Sequence, residues 1–351
     1  MVKRLLSYVL VFVSGNRKSA IENRKLVGIV ALVITFAMCE AVSAAQQTGK
    51  TFRVGFLDDS TTSRTVVRFE VLKQELSKFG WNEGKNIIIE SRFAEGKNDR
   101  LPELAAELVR LKVDLIVVAA TPAALAAKSA TTTIPIVMTN AGDPVGAGLV
   151  ASLARPGGNV TGNSSLSPEL NSKRLEVLKD AIPKLARVGF LRGTAGGIGR
   201  DIQLKELRPA ALAWKLKLEE IDAQPDAKGL ESAFQTAKQK QVNAIMTMST
   251  GPFFTERKRI VELASKYRLP AIYPQKEFVE VGGLMSYGAD YTDLYRRAAV
   301  YVDRILKGAK PADLPVQQAT KFEFVINLKA AKQIGLTLSP EFLSRANQVL
   351  K

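Results

Sequence analysis

Apolar positions fall into two regimes along the chain. Up to about residue 45 they come as runs, Leu5 to Val13 and then Leu26-Val-Gly-Ile-Val-Ala-Leu-Val-Ile-Thr-Phe-Ala37. From Thr51 onward, short β-branched stretches alternate with helical periodicity. Strands are predicted at Arg53-Val-Gly-Phe-Leu57, Asn86 to Glu90, Val113 to Ala119, Ile134 to Thr139, Arg187-Val-Gly-Phe-Leu191, Leu216 to Ile221, Val242 to Met248, Pro270 to Tyr273 and Gly283 to Tyr287. Between them lie amphipathic stretches such as Val66 to Phe79, where Phe69, Leu72, Leu76 and Phe79 share one stripe. Apolar strands separated by helices of about 10 to 15 residues imply right-handed βαβ units and parallel sheets covered on both faces.

The pattern runs twice, over residues 51–160 and 185–287, with Pro156-Gly-Gly-Asn159 between the two sets. The fold class expected is α/β, with two doubly wound Rossmann-like lobes. In such sheets ligands bind beyond the carboxyl ends of the strands, which in a two-lobe protein places the site in the cleft between lobes. The residues just after the strands are Asp58-Asp-Ser-Thr-Thr-Ser-Arg64, Ala120-Thr-Pro122, Asn140 to Gly146, Arg192-Gly-Thr-Ala-Gly-Gly197, Ser249-Thr-Gly-Pro252, Pro274-Gln-Lys276 and Gly288-Ala-Asp290. Ser, Thr, Asp and Gly cap helices and turn chains whatever the function. Beyond that role, these segments bring hydroxyls and helix N-termini to one cleft, suited to a small ligand carrying a carboxylate.

The N-terminal runs have a different logic. Arg17, Lys18, Arg24 and Lys25 precede the second run, which exits through Ala41-Val-Ser-Ala-Ala45. A basic stretch, an apolar run too short to span a bilayer and a small-residue exit make an export signal. Residues 1–45 are expected to be a signal peptide cleaved near Ala44 or Ala45. A membrane anchor would need about 20 apolar residues, and lipidation at Cys39 would need a small residue before it, where Met38 stands.

Composition narrows the chemistry. The 351 residues include one Cys and no His. That excludes Ser-His-Asp and Cys-His nucleophilic pairs, a His-based zinc protease motif and an internal disulfide. The net charge is +16, of which removal of residues 1–45, with six basic and two acidic residues, leaves +12. The remaining charge is scattered over helices with no clustered stripe, which speaks against nucleic acid as a partner. Gly146-Ala-Gly148 lacks the downstream acidic residue of a dinucleotide site, and no cofactor or metal is expected.

Around residue 140 the sequence becomes specific. Asn140-Ala-Gly-Asp-Pro-Val-Gly-Ala-Gly-Leu-Val-Ala-Ser-Leu-Ala-Arg-Pro-Gly-Gly-Asn-Val-Thr-Gly162 resembles the signature of the ABC transporter substrate-binding protein family that includes tryptophan- and tyrosine-binding members. Lys173 to Leu178, Leu269-Pro-Ala-Ile-Tyr273, Gly282 to Gly288, Arg296 to Pro315 and Thr320 to Lys332 follow in the family's order. The resemblance implies a type I periplasmic binding fold with three chain crossings at the hinge, near Asn159 to Asn163, Ser286 to Ala289 and Leu314 to Ala319. Lobe one is expected at 51–160 plus 290–315, and lobe two at 163–287 plus 318–351. It also implies a non-enzymatic, monomeric periplasmic receptor that closes on a small polar solute, an amino acid or related compound, and delivers it to an ABC permease. Three cleft segments depart from the family pattern: Asp58 to Arg64, Arg192 to Gly197, and Ser249-Thr250 where the family often has two aspartates. The frame carries over, and the identity of the ligand does not.

The expected ligand-binding residues are Ser60, Thr61 and Arg64 on one wall, Thr121 and Asp143 beside it, and Ser165, Thr194, Ser249, Tyr273, Tyr287 and Asp290 opposite or near the hinge. Asp143 is also expected to cap a helix beginning near Val145. Two other functions share this frame: a sensory subunit that presents ligand to a membrane receptor, and an enzyme using Asp143 or Tyr287 as acid or base.

Overall fold

The structure is a computed structural model that describes residues 50–194 and 198–351, with the backbone alone at 62–65 and 198–200. The expected export segment lies outside the described residues. Met1–Thr51 and Phe52–Lys351 are separate units, and the architecture below is that of the second.

Two sheets are built by the βαβ logic of the sequence. The first holds β1 (Phe52–Asp58), β2 (Ile87–Phe93), β3 (Leu115–Ala119), β4 (Ile136–Ala141), β5 (Val160–Ser164) and β11 (Gln317–Gln318), ordered β11-β5-β4-β3-β1-β2 and all parallel. The second holds β6 (Arg187–Arg192), β7 (Lys217–Asp222), β8 (Ala244–Thr247), β9 (Ala271–Tyr273), β10 (Met285–Ala289), β12 (Phe322–Asn327) and β13 (Gln348–Leu350). Its order is β13-β12-β10-β9-β8-β6-β7, with β12 antiparallel to β10. Both sheets share the 2-1-3-4-5 winding of doubly wound folds, so each has its ligand-facing edge at the carboxyl ends of its strands.

Helices cover both faces of each sheet. On the first, α1 (Thr62–Lys78) and α11 (Tyr291–Leu306) pack Leu72, Leu76, Tyr295 and Ala298 against Val54, Phe56 and Val117. The other face receives α2 (Leu101–Arg110) and α3 (Ala120–Ala130) through Leu104, Leu108 and Ala124. On the second sheet, α4 (Leu170–Ala181), α5 (Ile198–Lys205) and α6 (Leu207–Ala213) meet Val188, Phe190 and Met246. The opposite face carries α7 (Ala227–Gln239), α8 (Gly251–Thr255), α9 (Arg257–Lys266) and α10 (Glu277–Glu280). Near the C-terminus lie α12 (Leu328–Ile334) and α13 (Pro340–Ser344).

The chain crosses between sheets three times: between β5 and α4, between β10 and α11, and between β11 and β12. The first crossing therefore follows Ser164 and does not fall at Asn159 to Asn163, because residues 160–164 pair with β4 as an internal strand of the first sheet. Gly162 makes that pairing possible. Its φ is +122°, and a Cβ there would stand 2.2 Å from the Met138 carbonyl oxygen. Gly162→Ala adds backbone strain to a backbone clash, so it is expected to cost more than about 3 kcal/mol, read as a lowered urea midpoint with an unchanged slope.

Candidate functional site

The two rows of strand ends face each other, and the groups between them are largely buried. At the end of β1, Asp58, Asp59 and Ser60 are 3%, 2% and 6% exposed, so this segment is enclosed although it carries two carboxyl groups. Asp58 Oδ1 accepts the Ser60 N–H at 2.8 Å, folding the loop back on itself. Asp59 Oδ2 accepts the N–H of Gly251, the first residue of α8 in the other lobe, at 3.3 Å. Burial, and after it the neighbouring Asp58 charge, push the Asp59 carboxyl well above its ordinary range. A carboxyl so removed from water favours its protonated form unless a cation meets it.

A second bridge between the lobes starts from Arg68 on α1. Its guanidinium reaches Gln275 Oε1 at 3.3 Å and pairs with Glu277. It also lies over the rings of Phe254, at 5.2 Å, and Tyr291, at 4.6 Å. Burial opposes both charges, but their mutual attraction outweighs it. The guanidinium is held above its ordinary value and the Glu277 carboxyl below its own. Tyr291, the first residue of α11, brings its hydroxyl to 3.4 Å from Ser249 Oγ at the end of β8. Behind them Tyr295 is buried beside Asp58, and its phenol is pushed up first by that burial. The lobes are therefore closed on one another, and the closing contacts run through charged and aromatic groups.

The hinge side has its own anchor. Arg174 on α4 is 1% exposed. Its Nε donates to the Tyr287 carbonyl at 2.7 Å, and its Nη1 to the Ser167 carbonyl at 3.2 Å and to Asn171 Oδ1 at 2.6 Å. One side chain thus ties the crossing that follows β5 to the strand that leads into the crossing after β10.

The expected site residues divide accordingly. Ser60 and Thr61 stand at the closed mouth of the first lobe, Thr61 in the cap position of α1 with extended backbone. The side chain of Arg64 lies outside the described residues. Thr121 Oγ1 accepts the Gly142 N–H at 3.0 Å, tying the start of α3 to the loop after β4. Asp143 accepts the Gly146 N–H at 2.8 Å but caps a turn and not a helix, since residues 144–148 close on themselves without helical continuation. Asp143 lies towards Glu169, whose carboxyl is raised by burial, with the Asp143 charge adding to it. Ser165 is buried at the first crossing, its hydroxyl 3.3 Å from the Ala141 carbonyl. Asp290 caps α11 through the Asp293 N–H at 3.0 Å, and Tyr287 stacks on Phe322 with ring centroids 6.3 Å apart.

Two residues sit apart from the group around Asp59 and Tyr291. Thr194 is exposed and its hydroxyl bonds Gln224. Tyr273 is 1% exposed in the second lobe's core, stacked on Phe278 at 4.7 Å, because it shares the inner face of β9 with Ala271. Expectation from the sequence passed over Asp59, Arg68, Arg174, Glu277 and Tyr291. The available signal was Asp58-Asp59 directly after a strand; the other four sit on helices, where charge reads as a solvated face.

Two doubly wound lobes that close across three crossings and bury polar groups between their strand ends define a type I periplasmic binding fold, the architecture of a solute receptor. The chain belongs to the ABC transporter substrate binding protein family, which it matches over residues 65–350. It is 30% identical over 258 residues, 73% of each chain, to a tyrosine-binding protein of Clostridioides difficile strain R20291. A solved ABC domain from Streptococcus pneumonia in complex with L-Trp superposes with TM-score 0.79 at 29% identity, covering 86% of this chain and 100% of that one. The ligand-free, open structure of a substrate binding protein with adhesive properties from Clostridium difficile gives 0.62 at 25% identity, covering 86% and 99%. Among the described residues no helix is long and apolar enough to cross a membrane, and no group of three or more metal-ligating side chains occurs.

Proposed function

We propose that the protein is an exported, non-enzymatic receptor that closes on an α-amino acid and delivers it to an ABC permease. The observation that carries this reading is the Asp59 carboxyl, buried just past the carboxyl end of β1 and pushed well above its ordinary range. An α-ammonium placed there forms a charge-assisted hydrogen bond to Asp59 and offsets the cost of ionising that buried carboxyl. Phe254 and Tyr291, which flank the closing bridge, give the same cleft an aromatic wall. The relatives that bind tyrosine and tryptophan support the ligand class. The basic, apolar and small-residue order of residues 1–45 supports export to the periplasm, where the receptor acts as a monomer. The absence of His and the binding role of the relatives support a site that holds its ligand unchanged.

Thermal denaturation of the purified protein against a panel of amino acids tests the reading. L-tryptophan or L-tyrosine is expected to raise the melting temperature in a dose-dependent way, and the deaminated acids are expected to have no effect. No stabilisation by any amino acid would contradict it.

The pH dependence follows from Asp59. Its folded-state carboxyl titrates above the unfolded value of about 3.9, so its contribution to folding stability is present below that pH and lost as pH rises through the raised value. Binding of an ammonium requires the ionised form. Affinity is therefore expected to rise with pH across the same window, with net proton release on binding. Calorimetry in two buffers of different ionisation enthalpy reads that release directly.

A further inference from the structure

The guanidinium of Arg174 is 1% exposed, and no carboxylate of a described residue pairs with it. Arginine carries five N–H donors in a fixed fork. The Nε hydrogen goes to the Tyr287 carbonyl, and the two on Nη1 go to Ser167 O and Asn171 Oδ1. The two hydrogens on Nη2 have no acceptor among the described residues. That nitrogen lies against the second crossing: a Cβ built on Gly288 would be 3.9 Å from it. Tyr287 and Tyr291 stand near enough to feel its charge, and Tyr291 is the residue that meets both Ser249 and Arg68 in the cleft. Burial pushes the guanidinium down to about 10. At the first crossing, whose Ser167 carbonyl Arg174 also holds, the Ser167 hydroxyl is buried without a hydrogen-bond partner.

A buried cation bonded only to neutral acceptors is held at a large desolvation cost, which an anion in contact with it offsets. The free Nη2 can give a carboxylate an end-on, charge-assisted hydrogen bond, since Nε and Nη1 already hold their acceptors. We infer that Arg174 is the anion anchor of the cleft, binding the carboxylate of the ligand through Nη2 with the Ser167 hydroxyl as a further donor. This rests on the amino-acid reading for the identity of the anion and gives the zwitterion two poles, its ammonium at Asp59 and its carboxylate at the hinge. Because the same side chain holds the backbone of two chain segments at the hinge, the bound carboxylate is joined directly to the element about which the lobes rotate. Ligands lacking the carboxylate are then rejected by an unpaired buried charge and not by shape.

The test compares each acid with its amide, which keeps size and ammonium but removes the anion. Wild type and Arg174→Gln are titrated calorimetrically with L-tryptophan, L-tyrosine, L-tryptophanamide and L-tyrosinamide. Wild type is expected to bind the acids about 100-fold more tightly than the amides, and R174Q to bind the two within about threefold. Arg174→Lys, which keeps the charge without the fork, is expected to recover part of the preference. Ser167→Ala is expected to reduce it by about five- to tenfold and keeps the test open should R174Q fail to fold. A full acid preference retained in these variants would overturn the inference and leave Arg174 a brace of the hinge. If no amino acid binds wild type, the amino-acid reading falls and the comparison moves to indole-3-acetate against indole-3-acetamide. A preference for that acid, lost with the fork, sustains the anchor; binding of neither, or of both equally, overturns it.

Discussion

If the protein takes an α-amino acid as proposed, Asp59→Asn is expected to weaken its binding by about 100- to 1000-fold, the range for removing one partner of a buried charge-assisted contact. The asparagine keeps an oxygen that can accept the Gly251 N–H, the bond that Asp59 makes across the cleft at 3.3 Å, so the loop after β1 retains its shape. What it loses is the charge that the ligand ammonium needs. The same substitution removes a carboxyl that burial and Asp58 hold well above its ordinary range. The ligand-free protein is therefore expected to be as stable as wild type or more stable, by up to about 1 kcal/mol. Affinity and stability moving in opposite directions is the signature of a residue kept for its ligand. Paired titrations and melting curves on wild type and D59N read both quantities. Equal affinity in the two proteins would remove Asp59 from the site.

Gly251→Ala acts on the closing motion. A Cβ at residue 251 would stand 2.2 Å from Asp59 Oδ1 and 2.5 Å from its Cγ, far inside contact distance. The clash exists only while the lobes meet, because the two residues belong to different sheets. Closure therefore needs a glycine at the start of α8. The variant is expected to shift the population towards the open form and to lower apparent affinity by about 10- to 100-fold, in proportion to the lost closed fraction. The folding stability without ligand should stay within about 1 kcal/mol of wild type. Small-angle scattering is expected to show wild type contracting when ligand is added and G251A contracting only at far higher concentrations. Full closure of the variant at wild-type ligand concentrations would show that the Asp59–Gly251 contact does not govern closing.

Much of the frame was legible because parallel strands buried on both faces have to be continuously apolar. Leu115 to Ala119 is fully buried, and the pentapeptide Arg-Val-Gly-Phe-Leu opens both sheets, at 53–57 and at 187–191. Two of the strands not expected from the sequence lack that mark, whereas β12 carries a buried Phe324-Val-Ile326. β5 is Val-Thr-Gly-Asn-Ser, and it joins the sheet because Gly162 allows close backbone approach; β11 is only Gln317–Gln318. The position of the cleft followed from the strand-end rule, which brought Ser60, Thr61 and Ser249 to its mouth. The same rule misplaced Tyr273, because being last in a strand does not decide which face a side chain takes. The charged partners were hidden by distance. Arg68 and Glu277 lie 209 residues apart, and Arg174 bonds a carbonyl 113 residues away, so nothing local distinguishes them from the basic and acidic residues that face water on other helices.

The most direct test of the central claim is the titration of L-tryptophan and L-tyrosine into the purified wild-type protein and D59N near neutral pH. The account predicts that one of these amino acids binds wild type at one per chain and that D59N binds it at least about 100-fold more weakly. Wild type taking up neither amino acid, or D59N binding as tightly as wild type, would contradict it.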